Sequence, residues 1–506
     1  MTTQYEQTYR QLCQHARETA LLAAAESALA WDERTMLPPA AAEHRTEQLT
    51  LLAGMLHQRR TDGRLGGWLA ELAASPLAAD RHSAQGATIR QLKRDYDRQV
   101  KLPQSLVEEL ARTASLGQHV WERARANGDF PSFAPILSRM FELKRAEARA
   151  LGFPETAYDA LLDDYEPEEL TSTIGRVLAE LRDALVPLVG EIAAGGRRPD
   201  ASVLSRRYPL DAQEAFSRRG AEAIGFDFRR GRLDVTAHPF CTDLGPNDCR
   251  ITTRYDERFF PSAFFGVLHE AGHGIYDQGL PTDWYGLPPG EAVSLGIHES
   301  QSRLWENLVG RSRAFWRHFF PAARQAFPEA LAGASLDDFY FAVNDVRPSL
   351  IRVEADEATY NLHILVRFEL EQALLADDLP VADLPAAWNE KYENYLGIRP
   401  DGDADGVLQD VHWSAGLIGY FPTYSLGNLY ASQFFEQAEK DLGDLAPQFA
   451  AGEFAPLRQW LAKNVHRHGQ CFTAAELVRN ITGKPLSHGP LMAHLREKLA
   501  PLYGLN

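Results

Sequence analysis

The sequence predicts a mainly α protein with one small β-hairpin or sheet. Three observations lead there. Apolar residues recur at spacings of three and four through most of the chain. Several of these runs open on proline and close on glycine, the usual punctuation of helix starts and stops. Only one stretch, beginning at Arg232, alternates as strands do.

The first two hundred residues read as helix after helix. "QLTLLAGMLHQRR" and "TIRQLKRDYDRQV" carry the helical period. "KLPQSLVEELARTASLGQHVWERARANG" starts near Pro103 and ends at Gly128, and "DFPSFAPILSRMFELKRAEARALG" and "EPEELTSTIGRVLAELRDALVPLVGEIAAGG" repeat that grammar. "AAGGRRPDAS", residues 193–202, reads as an exposed linker. "RLDVTAHPF" and "DCRITTRYD" then alternate and are rich in Val, Ile and Thr. "CTDLGPN" between them is a turn-forming cluster, so the pair is expected to form a hairpin. Helical grammar returns at Phe264 and persists to the end.

Composition narrows the function classes. The chain has 506 residues, a 45% hydrophobic fraction and a formal net charge of -17. It can bury a large core, and nothing marks it as disordered or fibrous. Nucleic-acid binding is not expected, because phosphate contacts call for a basic surface. No stretch approaches the roughly 20 apolar residues of a membrane span. The N-terminal run lacks the basic-then-apolar order of a signal peptide. The four cysteines, Cys13, Cys241, Cys249 and Cys471, form no CxxC pair and fit a reducing compartment. The expectation is a soluble cytoplasmic protein with no nucleic-acid or membrane partner.

The segment "FFGVLHEAGHGIYDQG" carries the chemistry. His269 and His273 are four residues apart, so on a helix both imidazoles leave one face and can grip one metal ion. Glu270 lies one step round, placed to hold a water without ligating the metal. Glu299, in "GIHESQSRLWEN", is the candidate third ligand. Two histidines and a distant glutamate leave a fourth position open, as catalytic zinc sites do. His466 and His468, in "NVHRHGQ", are two apart and point in different directions on a helix, so they read as surface residues.

With these residues in place the sequence resembles the carboxypeptidase Taq, or M32, metallocarboxypeptidases. Six motifs occur in the family's order. They are His238-Pro239-Phe240, Asp248/Arg250/Thr252 for DxRxT, His269 to His273 for HExxH, and His298-Glu299-Ser300-Gln301. Ile351 to Asp356 matches IRxxAD, and Gly406 to Trp413 matches GxxQDxHW. The likeness spans nearly the whole chain. It implies a single peptidase domain over 1–506, with an N-terminal helical part (1–200) and a part carrying the motifs (201–506). It also implies a large helical groove-shaped body related to neurolysin and angiotensin-converting enzyme. Further implications are a zinc cofactor, with Co²⁺ able to substitute, homodimers, and release of single C-terminal residues with broad preference.

Roles follow from the chemistry. Glu270 is the catalytic base, and His269, His273 and Glu299 are the metal ligands. A free C-terminal carboxylate needs a receptor. Arg352 is the candidate, because a guanidinium matches a carboxylate in two parallel hydrogen bonds. Arg250 competes for that role, and Arg352 has an alternative one as a structural partner of Glu354 or Asp356. His238 is a further substrate-binding candidate. His412 and either Tyr420 or Tyr424 are candidate donors to the oxyanion of the tetrahedral intermediate. Asp356 and Asp410 are candidate acceptors behind a ligand histidine. Two other functions stay open on sequence: an oligopeptidase or endopeptidase of the same fold, and a non-catalytic helical scaffold with a remnant metal site. The retained Glu270 argues against the scaffold.

Overall fold

The computed structural model describes residues 3–505. The chain divides into two compact units, each assembled from three separate segments. One comprises Met1–Val100, Asp200–Val343 and Phe434–Pro485, and the other Lys101–Pro199, Asn344–Gln433 and Leu486–Asn506. The exposed run 193–202 contains one of the crossings. Among the described residues no helix is long and apolar enough to cross a membrane.

The first unit opens with helix Gln4–Thr35. Thr3 and Glu6 cap it reciprocally: the Glu6 amide donates to Thr3 Oγ1 (3.3 Å) and the Thr3 amide to Glu6 Oε2 (2.8 Å). Leu12 packs with Leu65, Leu69, Leu72 and Ile89 in a small buried cluster. The sheet is also here, and it corrects the expected hairpin. β1 (Gly231–Val235) runs parallel to β3 (Cys249–Thr253), which is central in the order β1-β3-β2. The hairpin is formed instead by β2 (Cys241–Asp243) and β3, with Cys241 opposite Ile251 and Asp243 opposite Cys249. The first three residues of "CTDLGPN" are therefore strand, and only the rest is turn. Alternation identified strand residues correctly but could not tell parallel from antiparallel pairing.

Helix Phe260–Gly279 follows, with Pro261 in its first turn. An aromatic core fixes its start. Phe260 and Phe264 stack at 5.4 Å, and Phe264 lies 5.3 Å from Trp316 and 5.1 Å from Phe216. Phe264 is fully buried, so truncating it to alanine would cost about 3–5 kcal/mol. Helix Leu295–Arg303 crosses this helix at Gly272. A Cβ there would lie 2.6 Å from the Gln301 carbonyl oxygen and 2.7 Å from Ser302 Cα. Glycine between the two histidines is thus what admits the second helix. That helix runs into a π-helical turn, Leu304–Val309, a form often found at functional sites.

The second unit holds helices Gln104–Asn127, Phe130–Leu151 and Thr171–Ala194, within a few residues of the expected boundaries. Gly128 closes the first in the left-handed conformation (φ 62°). Helix Thr359–Leu375 is buried on nearly every side and still carries His363, Arg367 and Glu371. Fully buried polar and charged groups of this kind need partners, and those partners lead to the second cluster described below.

Candidate active site

In the first unit three donors converge. His269 Nε2 and His273 Nε2 lie 3.7 and 3.4 Å from Glu299 Oε2, and all three donor atoms lie within 4.8 Å of one another. The opposite ring nitrogens are held as well. His269 Nδ1 meets Glu306 Oε2 at 2.9 Å, and His273 Nδ1 meets the His298 carbonyl at 3.1 Å. Both contacts turn the Nε2 atoms toward Glu299, the arrangement expected behind metal-ligating histidines. Glu299 is itself anchored, its Oε1 accepting from Arg303 Nε (2.6 Å) and its Oε2 from Ser302 (3.2 Å). The donor set suits a divalent metal with one open position.

Electrostatics sort the carboxylates. Burial works to raise Glu299, but Arg303 and His269 overcome it and hold the carboxylate well below its usual range. Glu306 is likewise carried down to about 2, against burial, by its hydrogen bond to His269 and by Arg303. Glu270 is different. It is 7% exposed, and burial pushes its carboxyl up to about 7. Burial lowers His273 to about 4. The result is two committed anions, a neutral imidazole and one carboxyl poised near neutrality.

The acceptor behind His269 is Glu306, not Asp356 or Asp410. Asp356 caps helix Thr359–Leu375, accepting from the Ala358 and Thr359 amides at 2.9 Å each and from the Thr359 hydroxyl at 2.6 Å. Asp410 pairs with arginines, as shown below. Both belong to the other unit. The sequence signal that points to Glu306 is its distance of seven residues, about two helical turns, from Glu299. His466 also departs from expectation. It is buried, with Nε2 3.0 Å from Gln301 Oε1 and its ring 5.0 Å from that of Tyr276. Its segment is irregular, kinked at Gly469 (φ 47°), so helical projection did not apply. His238 is exposed on the loop between β1 and β2. Arg250 is spent on Asp248 through two 2.9 Å contacts, and its guanidinium lies 4.4 Å from the Trp31 ring centroid.

The second unit has its own charged cluster. Arg352 Nε and Nη2 lie 2.9 and 2.8 Å from Asp410 Oδ1, and Arg367 Nε and Nη2 lie 2.6 Å from Asp410 Oδ2. Arg352 Nη1 donates to Tyr360 Oη at 3.1 Å, and the Arg352 amide to Gln409 at 2.9 Å. The partner of Arg352 is thus Asp410, not Glu354 or Asp356. Burial opposes ionisation of Asp410, yet Arg367 and Arg352 hold it far below the usual carboxylate range. Two buried guanidinium groups share one aspartate. Glu371 accepts from Tyr158, Trp413 and the Gly419 amide, and burial pushes it up to about 7. Asp410 by itself does not neutralise the two guanidinium groups. His412 Nε2 is 3.3 Å from Tyr424 Oη, and burial lowers His412 to about 4. Tyr424 lies under Arg352, 5.1 Å from the guanidinium carbon to the ring centroid, and 5.3 Å from the Tyr420 ring.

Known proteins place this geometry in context. The model of the carboxypeptidase Taq (M32) metallopeptidases matches residues 11–499. The chain is 50% identical to thermostable carboxypeptidase 1 of Thermus thermophilus, over 99% of each chain. It is 38% identical to carboxypeptidase 1 of Bacillus subtilis, over 94% of each. Among solved structures it is similar to the M32 carboxypeptidase of Deinococcus radiodurans, at 42% identity and a TM-score of 0.95, covering 98% of this chain and 100% of that one. A paired-histidine, two-glutamate centre on a mainly helical scaffold, matched from end to end by these carboxypeptidases, leads to one conclusion: the chain belongs to the carboxypeptidase Taq (M32) family and is a metallocarboxypeptidase, a hydrolase of peptides.

Proposed function

We propose that the metal is zinc, held by His269, His273 and Glu299, and that the enzyme releases single residues with broad preference from peptides bearing a free C-terminus. The observation that carries this reading is the convergence of those three donors beside buried Glu270. Zinc bound there would supply Lewis acidity, polarising the scissile carbonyl and lowering the pKa of water toward ~7. Glu270 takes the proton of the attacking water and later delivers it to the leaving amine, a role suited to a carboxyl poised near neutrality. Glu306 fixes the His269 ring, and the His298 carbonyl fixes that of His273.

Arg352 receives the terminal carboxylate. Asp410 orients it from one edge, and because Arg367 shares that aspartate, Asp410 alone does not neutralise the pair. Tyr424, in contact with both Arg352 and His412, is favoured over Tyr420 as the oxyanion donor, with His412 behind it. Arg250, on β3 with its guanidinium against Trp31, braces the sheet, whereas exposed His238 is available to substrate. A homodimer in the cytoplasm completes the proposal. The free cysteines fit a reducing compartment, and light scattering would measure the dimer.

Chelation followed by metal return tests the reading. Stripped enzyme should be inactive, and zinc or cobalt should restore hydrolysis of an N-blocked peptide. Full activity without metal would refute it. Arg352→Ala should lower kcat/KM on free peptides by roughly 30- to 1,000-fold with metal content unchanged. Normal cleavage by that variant would move the carboxylate receptor elsewhere.

A further inference from the structure

A second cluster of metal-binding side chains lies in the first unit, outside the residues used above. Cys241 on β2 and Cys249 on β3 bring their sulfurs to 3.6 Å, and Asp277, in the last turn of helix Phe260–Gly279, brings Oδ2 to 3.6 Å from Cys241 Sγ. The three donor atoms all lie within 4.8 Å of one another. We propose that Cys241, Cys249 and Asp277 form a second, thiolate-rich site for a divalent cation of the zinc class.

The spacing favours a metal over the other use of two neighbouring thiols. Zinc–sulfur bonds of about 2.3 Å in a tetrahedron set sulfurs about 3.8 Å apart, and a sulfur and a carboxylate oxygen about 3.5 Å apart. Both observed edges sit at these values. A disulfide needs the sulfurs at about 2.05 Å, so they would have to close by roughly 1.5 Å. Strand register opposes that closure. Cys241 faces Ile251 and Cys249 faces Asp243, so the two cysteines are diagonal neighbours, a pairing that ordinarily holds β-carbons farther apart than a disulfide requires.

The surroundings suit a cation. Asp277 Oδ1 accepts from His298 Nε2 at 2.9 Å, which leaves Oδ2 on the sulfur side. Burial, with the charge of Asp277 behind it, pushes the nearby Asp243 and Glu291 carboxyls up to about 7, a crowding of acids that a bound cation would relieve. A small cavity of about 20 Å³ is lined by Asp243, Cys249 and Asp277. It has room for about one water as a fourth ligand. On binding, the two thiol protons pass to solvent, two metal–sulfur bonds form, and nothing is oxidised. The ion ties β2 and β3 to the end of the helix that carries His269 and His273. His298 stands between the two centres, its side chain on Asp277 and its carbonyl on His273, with the rings of His273 and His298 stacked at 4.4 Å.

Cobalt provides the test, because, of the two donor groups, only this one offers sulfur. The full-length protein, kept reduced and free of oxygen, is stripped and titrated with Co²⁺. The expected result is two equivalents per chain and a thiolate-to-cobalt charge-transfer band in the near ultraviolet. Cys241→Ser/Cys249→Ser should bind one equivalent, without the band. Cys13→Ser/Cys471→Ser should keep both. Zn²⁺ should also shield two of the four thiols of the wild type from a thiol reagent. A wild type that takes one equivalent, shows no charge-transfer band and reacts with the thiol reagent alike with and without Zn²⁺ overturns the proposal. That result would leave the catalytic centre, which contains no sulfur, untouched.

Discussion

Glu306→Gln isolates the part of the proposed metal centre that lies behind its ligands. Glu306 touches no proposed metal position. Its Oε2 holds His269 Nδ1 at 2.9 Å, and its carboxylate also meets Arg303 at 3.3 Å and Arg311 at 3.4 Å. Glutamine keeps the size of the side chain and an oxygen for the His269 ring, but removes the negative charge. The ring loses an anionic partner and becomes a weaker donor to the metal. Replacing such partners costs 10- to 100-fold in metal affinity, equivalent to about 1.4–2.7 kcal/mol at ~1.4 kcal/mol per tenfold. Arg303 retains Glu299 at 2.6 Å, so the fold should tolerate the change. Competition against a chelator of known affinity measures it. Wild-type affinity in Glu306→Gln would refute the claim that this contact strengthens His269 as a ligand. Complete loss of binding would make Glu306 a ligand.

Other expectations follow from the same geometry. Glu270→Gln should keep its metal, measured by elemental analysis, and lose most turnover, since glutamine accepts no proton; loss of the metal would make Glu270 a ligand. Gly272→Ala should drive a Cβ into the Gln301 carbonyl, cost about 1–3 kcal/mol in denaturant unfolding and weaken metal binding by displacing Glu299; unchanged binding would deny that the close approach matters. Asp410→Asn should destabilise the protein by about 3–5 kcal/mol at neutral pH, because it leaves Arg352 and Arg367 without their buried anion. The depressed pKa of Asp410 sets the sign of the pH effect: the stabilisation is present above the unfolded value of ~3.9 and is lost as pH falls through the folded one. Wild type and variant should therefore converge in acid, and a gap that held constant down to low pH would contradict the pairing.

The convergence of His269 and His273 was readable because a four-residue spacing converts directly into one helix face. The place of Glu299 beside them was suggested by the family's motif order, and Gly272 explains how its helix comes close enough. The pieces missed in sequence share a cause: they depend on contacts across long stretches of chain. Asp410 lies 58 residues from Arg352 and 43 from Arg367, and no local pattern announces such a pairing. His466 and Gln301 are 165 residues apart, so a histidine that looked solvated proved to be core. The sheet failed differently. Its residues were evident from β-branched alternation, yet pairing direction is set by how β1 returns past β2 to reach β3, and alternation does not encode that. Glu306 lay in view two turns beyond Glu299, but a glutamate on a helix is usually solvated, and only its contact with His269 gives it meaning.

The central claim is that the metal centre acts on the last peptide bond alone. It is tested most directly by following one N-blocked peptide, as free acid and as amide, by mass spectrometry through time. The free acid should shorten by one residue at a time, in order from its C-terminus, while the amide stays intact. Fragments from internal cleavage, or equal loss of the amide, would contradict it.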